Sequence, residues 1–315
     1  MDKAAAISDT AGTGRLVFDL GFHRGEDTEH YLAMGHRVVA VEADPGLWKK
    51  GTERFSEAID AQRLVLLNAA VVGAGRGLSE VRFHPHESRS EWGSVDPRWV
   101  GRNKDLFGSP NDPPVMVKAI SLSELVRCHG CPWYLKIDIE GADEEVLADL
   151  YALDELPEYV SWETGKESYR SVRAQHRSLH ALGYDRFRIV QQCYQDERPA
   201  VMSKEGFPVH LLPGSSGPLP ADLPQPWRSL EGTLRRYLLL FLIFRLIGPG
   251  SIFHRASRSE RTLLSALPKR ILAWADRRRM PFPGWYDSHA RWNAGNLRKQ
   301  AGSVEAHRIS QPRPR

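Results

Sequence analysis

The residues best suited to chemistry stand where apolar runs stop. Val17-Phe18-Asp19-Leu20-Gly21-Phe22-His23-Arg24-Gly25 leaves one run through two glycines, and Val41-Glu42-Ala43-Asp44 ends another on carboxylates. Tyr134-Leu135-Lys136-Ile137-Asp138-Ile139-Glu140-Gly141 alternates polar with apolar, and Val160-Ser161-Trp162-Glu163 ends on a further acid. Carboxylates so placed can accept hydrogen bonds from a sugar diol, take a proton from a hydroxyl, or hold a hard divalent cation. A period of two sets Tyr134, Lys136, Asp138 and Glu140 on one face of a strand and Leu135, Ile137 and Ile139 on the other. A lysine in a central strand is costly to bury unpaired, so Lys136 is expected against Asp138 or Asp19, as a structural ion pair or as part of the chemistry.

The elements that must position these residues follow from the alternation of apolar runs with helical patterns. Strands are predicted over Leu16–Leu20, Arg37–Glu42, Leu64–Asn68, Val81–His84, Val115–Ile120, Trp133–Ile139 and Tyr159–Trp162. Helices are predicted over Asp27–Met34, Gly46–Ala58, Ala142–Leu150 and Tyr169–Leu182, with Ser121-x-x-Glu124 as the capping box of another short helix. Apolar runs that scarcely alternate imply a mainly parallel sheet covered on both faces, a doubly wound α/β domain over about residues 15–195. Residues 1–14 read as a disordered lead. Residues 196–300 read as a Pro-rich loop and a largely helical C-terminal extension, with helices near 232–246 and 259–277, and 301–315 as a basic disordered tail. In such sheets ligands bind beyond the carboxyl ends of the strands, where the chemistry-bearing residues lie.

Two nucleoside cofactors fit a glycine turn followed by a carboxylate. Glu42 comes 21 residues after Gly21, the distance at which an acid can accept both hydrogen bonds of a ribose diol. A dinucleotide such as NAD would place its pyrophosphate on the helix N-terminus and use G-x-G-x-x-G. Here the spacing is Gly-x-x-x-Gly and the helix opens with Glu26, Asp27 and Glu29, which repel phosphate. Asp19 and these acids suit a ligand with an amino group and a sulfonium, as in S-adenosylmethionine (SAM).

The stretches VFDLGFHRGEDT (17–28), VVAVEADP (38–45), LLNAAVVG (66–73) and YLKIDIEGADEEVL (134–147) together resemble the FkbM-type SAM-dependent methyltransferases, over about residues 15–165. The resemblance implies a Rossmann-like methyltransferase sheet. It also implies that Asp19, Gly21 and Gly25 hold the methionine part of SAM, Glu42 the ribose, and Asn68-Ala69-Ala70 the adenine edge, Asn68 being equally readable as a strand-ending turn. The family's small-residue turn is replaced here by Phe22-His23-Arg24. The substrate classes it suggests are a saccharide, a glycolipid or a secondary metabolite, methylated on a hydroxyl. That hydroxyl needs a base or metal, because its own acidity is too low at neutral pH. The candidates are Asp138 and Glu163, as base or as ligands of a divalent metal, with Lys136 and Glu140 beside them and His84 and His86 behind.

Composition bounds the rest. The chain has 315 residues, 41% of them hydrophobic, and a net charge of +4, which excludes a collagen-like, disulfide-framework or wholly disordered protein. From Arg228 onward there are 18 Lys/Arg against 5 Asp/Glu, net +13, leaving −9 on the first 227 residues. The basic end is either a solvated face or a surface for anionic partners. Nucleic acid is not the expected partner. Three cysteines and an N-terminus with no apolar signal core point to the cytoplasm, and the lone Cys128-His129-Gly130-Cys131 lacks the second ligand pair of a zinc site.

The apolar run Tyr237–Phe244 is below the roughly 20 residues of a membrane span. Flanked by Arg235, Arg236 and Arg245, it is either a buried cap helix, favoured by its wide apolar face, or part of a peripheral membrane contact over 232–261. The segment 85–114 is a candidate lid carrying Trp92, and Trp285-Tyr286-Asp287-Ser288-His289 either reaches the active site or starts a packing helix. Two other readings compete with methyl transfer: an NAD-dependent dehydrogenase using Glu42, and a non-catalytic module binding membrane or nucleic acid through the basic tail.

Overall fold

The computed structural model describes residues 14–86, 90–101, 113–165, 168–192, 201–202, 208–209, 212, 214–247 and 286–293. The first three apolar runs form β1 (Leu16–Leu20), β2 (Arg37–Glu42) and β3 (Leu64–Asn68), with the bounds that patterning predicts. Between them lie α1 (Glu26–Ala33), α2 (Pro45–Arg54) and α3 (Ser56–Asp60). Asp44 caps α2 by accepting from the Gly46 and Leu47 N–H groups at 2.7 and 3.0 Å, with Pro45 at the first helical position. The single helix expected over 46–58 breaks at Phe55, whose ring packs edge-on against Phe22.

Next come β4 (Ala70–Val71), β5 (Glu80–Phe83), helical residues 97–101 (α4) and β6 (Val115–Ile120), the three strands forming a small separate sheet in the order β4-β6-β5. The capping box at the start of α5 (Leu122–His129) is present. Ser121 Oγ accepts from the Glu124 N–H, and the Glu124 carboxylate accepts from the Ser121 N–H. Then follow β7 (Tyr134–Ile137), α6 (Asp143–Asp149), β8 (Tyr159–Thr164), α7 (Tyr169–Ala181), β9 (Tyr184–Gln191), β10 (Val201–Met202), β11 (Pro208–Val209), α8 (Leu230–Ile247) and β12 (Tyr286–Trp292).

The main sheet has the order β3-β2-β1-β7-β8-β12-β9. Its strands β3, β2, β1, β7 and β8 are mutually parallel, and β12 runs antiparallel to both β8 and β9. The fold is therefore a doubly wound, mainly parallel α/β sheet. Successive residues feed opposite faces: Phe18, Val39, Leu135 and Trp162 enter one core with Leu122, Val146 and Leu179, while Val17, Val38, Tyr134 and Tyr159 enter the other with Tyr31 and Leu219. Strand order reverses between β1 and β7, which opens a crevice at their carboxyl ends.

One expectation needs correction. The C-terminal part is not simply a helical cap, because residues 286–292 form a strand inside the main sheet rather than the start of a packing helix. The strand lies between β8 and β9 and pairs antiparallel with both. The helix expected over 259–277, the lead before Gly14 and the tail 301–315 lie outside the described residues.

A buried polar cluster holds β12 in place. Ser288 Oγ lies 2.6 Å from the Tyr237 hydroxyl, 2.8 Å from Thr164 Oγ1 and 3.2 Å from His176 Nε2, while His176 Nδ1–H donates to the Val172 carbonyl at 2.8 Å. These bonds join α7, α8, β8 and β12. Burial pushes the His176 pKa down to about 4. The folded state therefore stays neutral at this position while the unfolded chain binds a proton below about 6.5, so stability from this residue is complete above that pH and is lost as pH falls toward 4. Urea titrations of wild type and His176→Gln across pH 4–6.5 should differ by up to one proton taken up on unfolding, with the wild type the more acid-sensitive. Equal pH slopes would refute the assignment.

Candidate functional site

A cleft of about 1390 Å³ opens where β1, β2, β7 and β8 end and β12 begins. One wall begins at the turn after β1. Gly21 has φ +96°, and a Cβ there would lie 1.8 Å from the Asp138 carbonyl oxygen, so glycine is required for the turn to pass against the end of β7. Phe22 points into the core, 2% exposed. This is how the bulky Phe22-His23-Arg24 turn is accommodated: Gly25 and Gly51 leave room for that ring, since a Cβ on either would meet it at 2.5–2.6 Å.

His23, at φ 53°, donates its N–H to Glu42 Oε2 at 2.7 Å, and its ring Nε2 lies 2.8 Å from Ser90 Oγ. Glu42 also accepts from the Asp44 N–H at 2.7 Å. Burial outweighs these two hydrogen bonds and pushes the Glu42 carboxyl up to about 7. Glu42 lines the cleft, as do Ala69 and Ala70.

Three residues read as cofactor contacts do not line this cleft. Asp19 is fully buried beneath it, accepting from Thr28 Oγ1 at 2.7 Å and Lys136 Nζ at 3.3 Å. Gly25 serves the start of α1 with φ +85° and the packing of Phe22 and Phe55. Asn68 is the strand-ending tie, its amide donating to the Glu42 and Ala43 carbonyls at 3.0 and 3.4 Å. Of the acids opening α1, Glu26 and Asp27 line the cleft, whereas Glu29 pairs with Arg54.

Lys136 lies within 3.3 Å of three carboxylates, those of Asp19, Asp27 and Asp138. Burial disfavours the ammonium, but the three acids outweigh it and hold the Lys136 pKa well above the usual lysine range. Burial pushes Asp19 up to about 6 against the pull of Lys136. Asp27 is shielded by Ser215 Oγ at 2.6 Å and the Ser216 N–H at 2.9 Å, from a loop that reading the sequence gave no role.

The opposite wall carries the acids. Asp138, Glu140 and Glu163 each offer an oxygen, and these lie within 4.8 Å of one another. Glu140 adopts φ 52° just after β7, ahead of Gly141, and its carbonyl accepts from Ser94 Oγ at 2.5 Å. Asp287, paired with Glu163 in the β12–β8 register, joins them; it is 8% exposed and accepts from Gln192 Nε2 at 2.5 Å. Burial, together with the charges of Asp138 and Glu163, pushes Asp287 well above the carboxylate range. Asp143 is pushed up to about 6 by burial, with the Asp138 charge adding. Asp287 thus reaches the cleft from a strand and not from the start of a packing helix.

Ser90, Trp92, Asp96, Arg98 and Trp99 line the remaining side, so the described part of 85–114 walls the cleft. His84 pairs through its backbone with Ser94, and His86 stacks edge-on with Trp92; neither lines the cleft. Cys128 and Cys131 are free thiols ahead of β7, at the other end of the strands.

Residues 19–185 match the family described as Methyltransferase FkbM domain, just over half of the chain. None of the curated proteins matches. Similar solved structures include YjhP from E. coli, at 12% identity over 90% of this chain and 88% of that one, TM-score 0.32. Another is a SAM-dependent methyltransferase from Geobacter sulfurreducens in complex with S-adenosyl-L-homocysteine, at 11% identity over 90% and 86%, TM-score 0.31. A proposed transferase from Pyrococcus horikoshii has 12% identity over 60% of this chain, TM-score 0.30, and this chain spans 55% of its length.

Replacing Lys136 with Met leaves three acids crowded without their cation, which should destabilise the fold by about 3–5 kcal/mol at neutral pH. The deficit should shrink as pH falls and the acids take up protons. Urea denaturation at two pH values measures both, and a variant as stable as wild type at pH 7 would show that the cluster is not held by charge.

Proposed function

The chain belongs to the FkbM methyltransferase family, and from that premise we propose that it transfers a methyl group from SAM to a hydroxyl of a saccharide, glycolipid or secondary metabolite. The observation that carries this reading is one cleft with two chemically different walls. On one stand Gly21, Glu42 and Ala69, suited to a nucleoside, and on the other Asp138, Glu140, Glu163 and Asp287, suited to activating a hydroxyl. SAM supplies an electrophilic methyl on a sulfonium, with a neutral thioether as the leaving group. Glu42 accepts the ribose hydroxyls, while Glu26 and Asp27 give the cleft the negative potential that a cationic donor needs and a pyrophosphate does not tolerate.

Asp138 or Glu163 removes the acceptor proton as the new C–O bond forms, so that one proton passes from hydroxyl to carboxylate per methyl transferred. Lys136 fixes the Asp138 oxygen at 3.3 Å and so orients it. A divalent cation held by Asp138, Glu140 and Glu163 would make the hydroxyl more acidic, and three carboxylate oxygens are the donors a hard cation takes. Trp92 and Trp99 give the acceptor side aromatic faces. The free thiols Cys128 and Cys131 suit a reducing compartment, and the cytoplasm is the proposed location.

Isothermal titration with SAM tests the donor half. Wild type should bind, Glu42→Gln at least tenfold more weakly. Because the ionised Glu42 carboxylate is the acceptor and its pKa is raised to about 7, affinity should rise with pH and level off above 7. Below 7 it should fall, by up to tenfold per unit, and the Gln variant should lose this dependence. Absence of wild-type binding would end the reading. Methyl transfer to acceptor fractions from labelled SAM, with and without chelator, tests the acceptor half: Asp138→Asn and Glu163→Gln should each slow turnover 10²-fold or more at unchanged SAM affinity, and loss on chelation would identify the metal contribution.

A further inference from the structure

Helix α8 buries one face and leaves the other apolar. Leu234, Tyr237 and Leu240 pack inward, whereas Leu238, Leu239 and Leu242 are 43%, 48% and 51% exposed. At 100° per residue these three leucines form one stripe. Arg235 extends the stripe by a turn toward the N-terminus, and Arg236 and Arg245 stand at its two borders, all three exposed. None of the three arginines is ion-paired among the described residues. A leucine stripe bordered by arginines is the pattern of a helix lying in the plane of a lipid interface, with the leucines at the acyl boundary and the long basic side chains reaching headgroup phosphates. Spanning is not at issue, since no helix among the described residues is long and apolar enough to cross a membrane.

Charge chooses the occupant. From Arg228 onward the chain is net +13. A second copy, docked by two-fold symmetry, would set the same arginines against one another. The chain's own residues 248–285 carry eight Lys/Arg against two Asp/Glu and so have the wrong sign to cover arginines. An anionic lipid surface has the right sign. We propose that α8 seats this protein on anionic membrane surfaces through Leu238, Leu239 and Leu242, with Arg235, Arg236 and Arg245 on lipid phosphates. The seat lies beside the site: Tyr237, Leu240 and Phe244 on the inner side of α8 line a small apolar hollow with Tyr286 and Gly165, and Gly165 also lines the large cleft next to Glu163. An acceptor carried in the membrane would thus meet the acidic wall. Docking itself requires neither donor nor acceptor, so it stands or falls separately from the methyl-transfer reading.

Cosedimentation of the full chain with phosphatidylglycerol-containing vesicles and with pure phosphatidylcholine vesicles tests the proposal. Wild type should bind the anionic vesicles at least tenfold more strongly, and high salt should weaken that binding. L238Q/L239Q/L242Q should lose tenfold or more with its thermal melting unchanged, and R235Q/R236Q/R245Q should lose the preference for anionic lipid. No wild-type binding, or equal binding by the leucine variant, would overturn it. So would sedimentation velocity showing a wild-type dimer that the leucine variant dissolves, which would give the stripe to a second copy. A leucine variant that melts earlier and is newly cleaved by protease within 248–285 would overturn it too, by giving the stripe to that segment.

Discussion

A single ammonium group organises the centre of this molecule. Asp19 comes from β1, Asp27 from α1 and Asp138 from the exit of β7, and all three carboxylates reach within 3.3 Å of Lys136 Nζ. In a medium of low effective dielectric, such carboxylates would repel one another strongly without the cation between them. Because Asp27 also takes hydrogen bonds from Ser215 and Ser216, the same cluster pins the 214–217 loop over the opening of α1. Three strand and helix ends and one loop are thereby held in register around the cleft, and the backbone contact of Gly21 with Asp138 keeps the two walls in touch.

Burial governs three further acids around the cleft. Glu42, Asp143 and Asp287 are all pushed upward in pKa by burial, each with neighbouring carboxylates adding. A cleft crowded with acids can relieve the repulsion by holding protons, by binding a cationic small molecule, or by coordinating a divalent ion. The second route suits a methyltransferase, whose SAM donor carries a sulfonium cation. Burial that is costly for stability therefore becomes selective for ligand charge. The division of charge along the chain, an acidic body and a basic C-terminal third, separates this cation-seeking cleft from the arginine-bordered stripe of α8.

Legibility in the sequence followed burial pattern. β1, β2 and β3 were readable residue for residue, because strands covered on both faces are unbroken apolar runs bounded by charge or glycine. The Ser121 capping box and the Lys136 pairing were readable because each has a short-range or strand-pairing logic. β9 and β12 were not. β12 buries Asp287, Ser288 and His289, polar residues that only tertiary contacts satisfy or enclose, and it joins the sheet about 95 residues after β9 ends. Asp19 and Asn68 are ambiguous for a related reason: a polar residue at a strand end looks the same in sequence whether it faces ligand or holds the neighbouring strand. Their donors and acceptors, Thr28, Lys136 and the Glu42 carbonyl, decide between the two.

β12 also shows how register can fix which groups line a cleft. Side chains along a strand alternate in direction, so a slip of one residue would turn Asp287 away from Glu163 and put Ser288 or Tyr286 at the cleft instead. Apolarity alone would not prevent that slip, since both faces of β12 carry polar groups. The discriminating force is the Ser288 contact with Thr164, Tyr237 and His176, which only one register can satisfy in a buried space. The hydrogen bonds on the helix-packed face thus determine which carboxylate stands on the other face. The acidic wall is complete only when this C-terminal strand is seated, so assembly of the site and completion of the sheet are the same event.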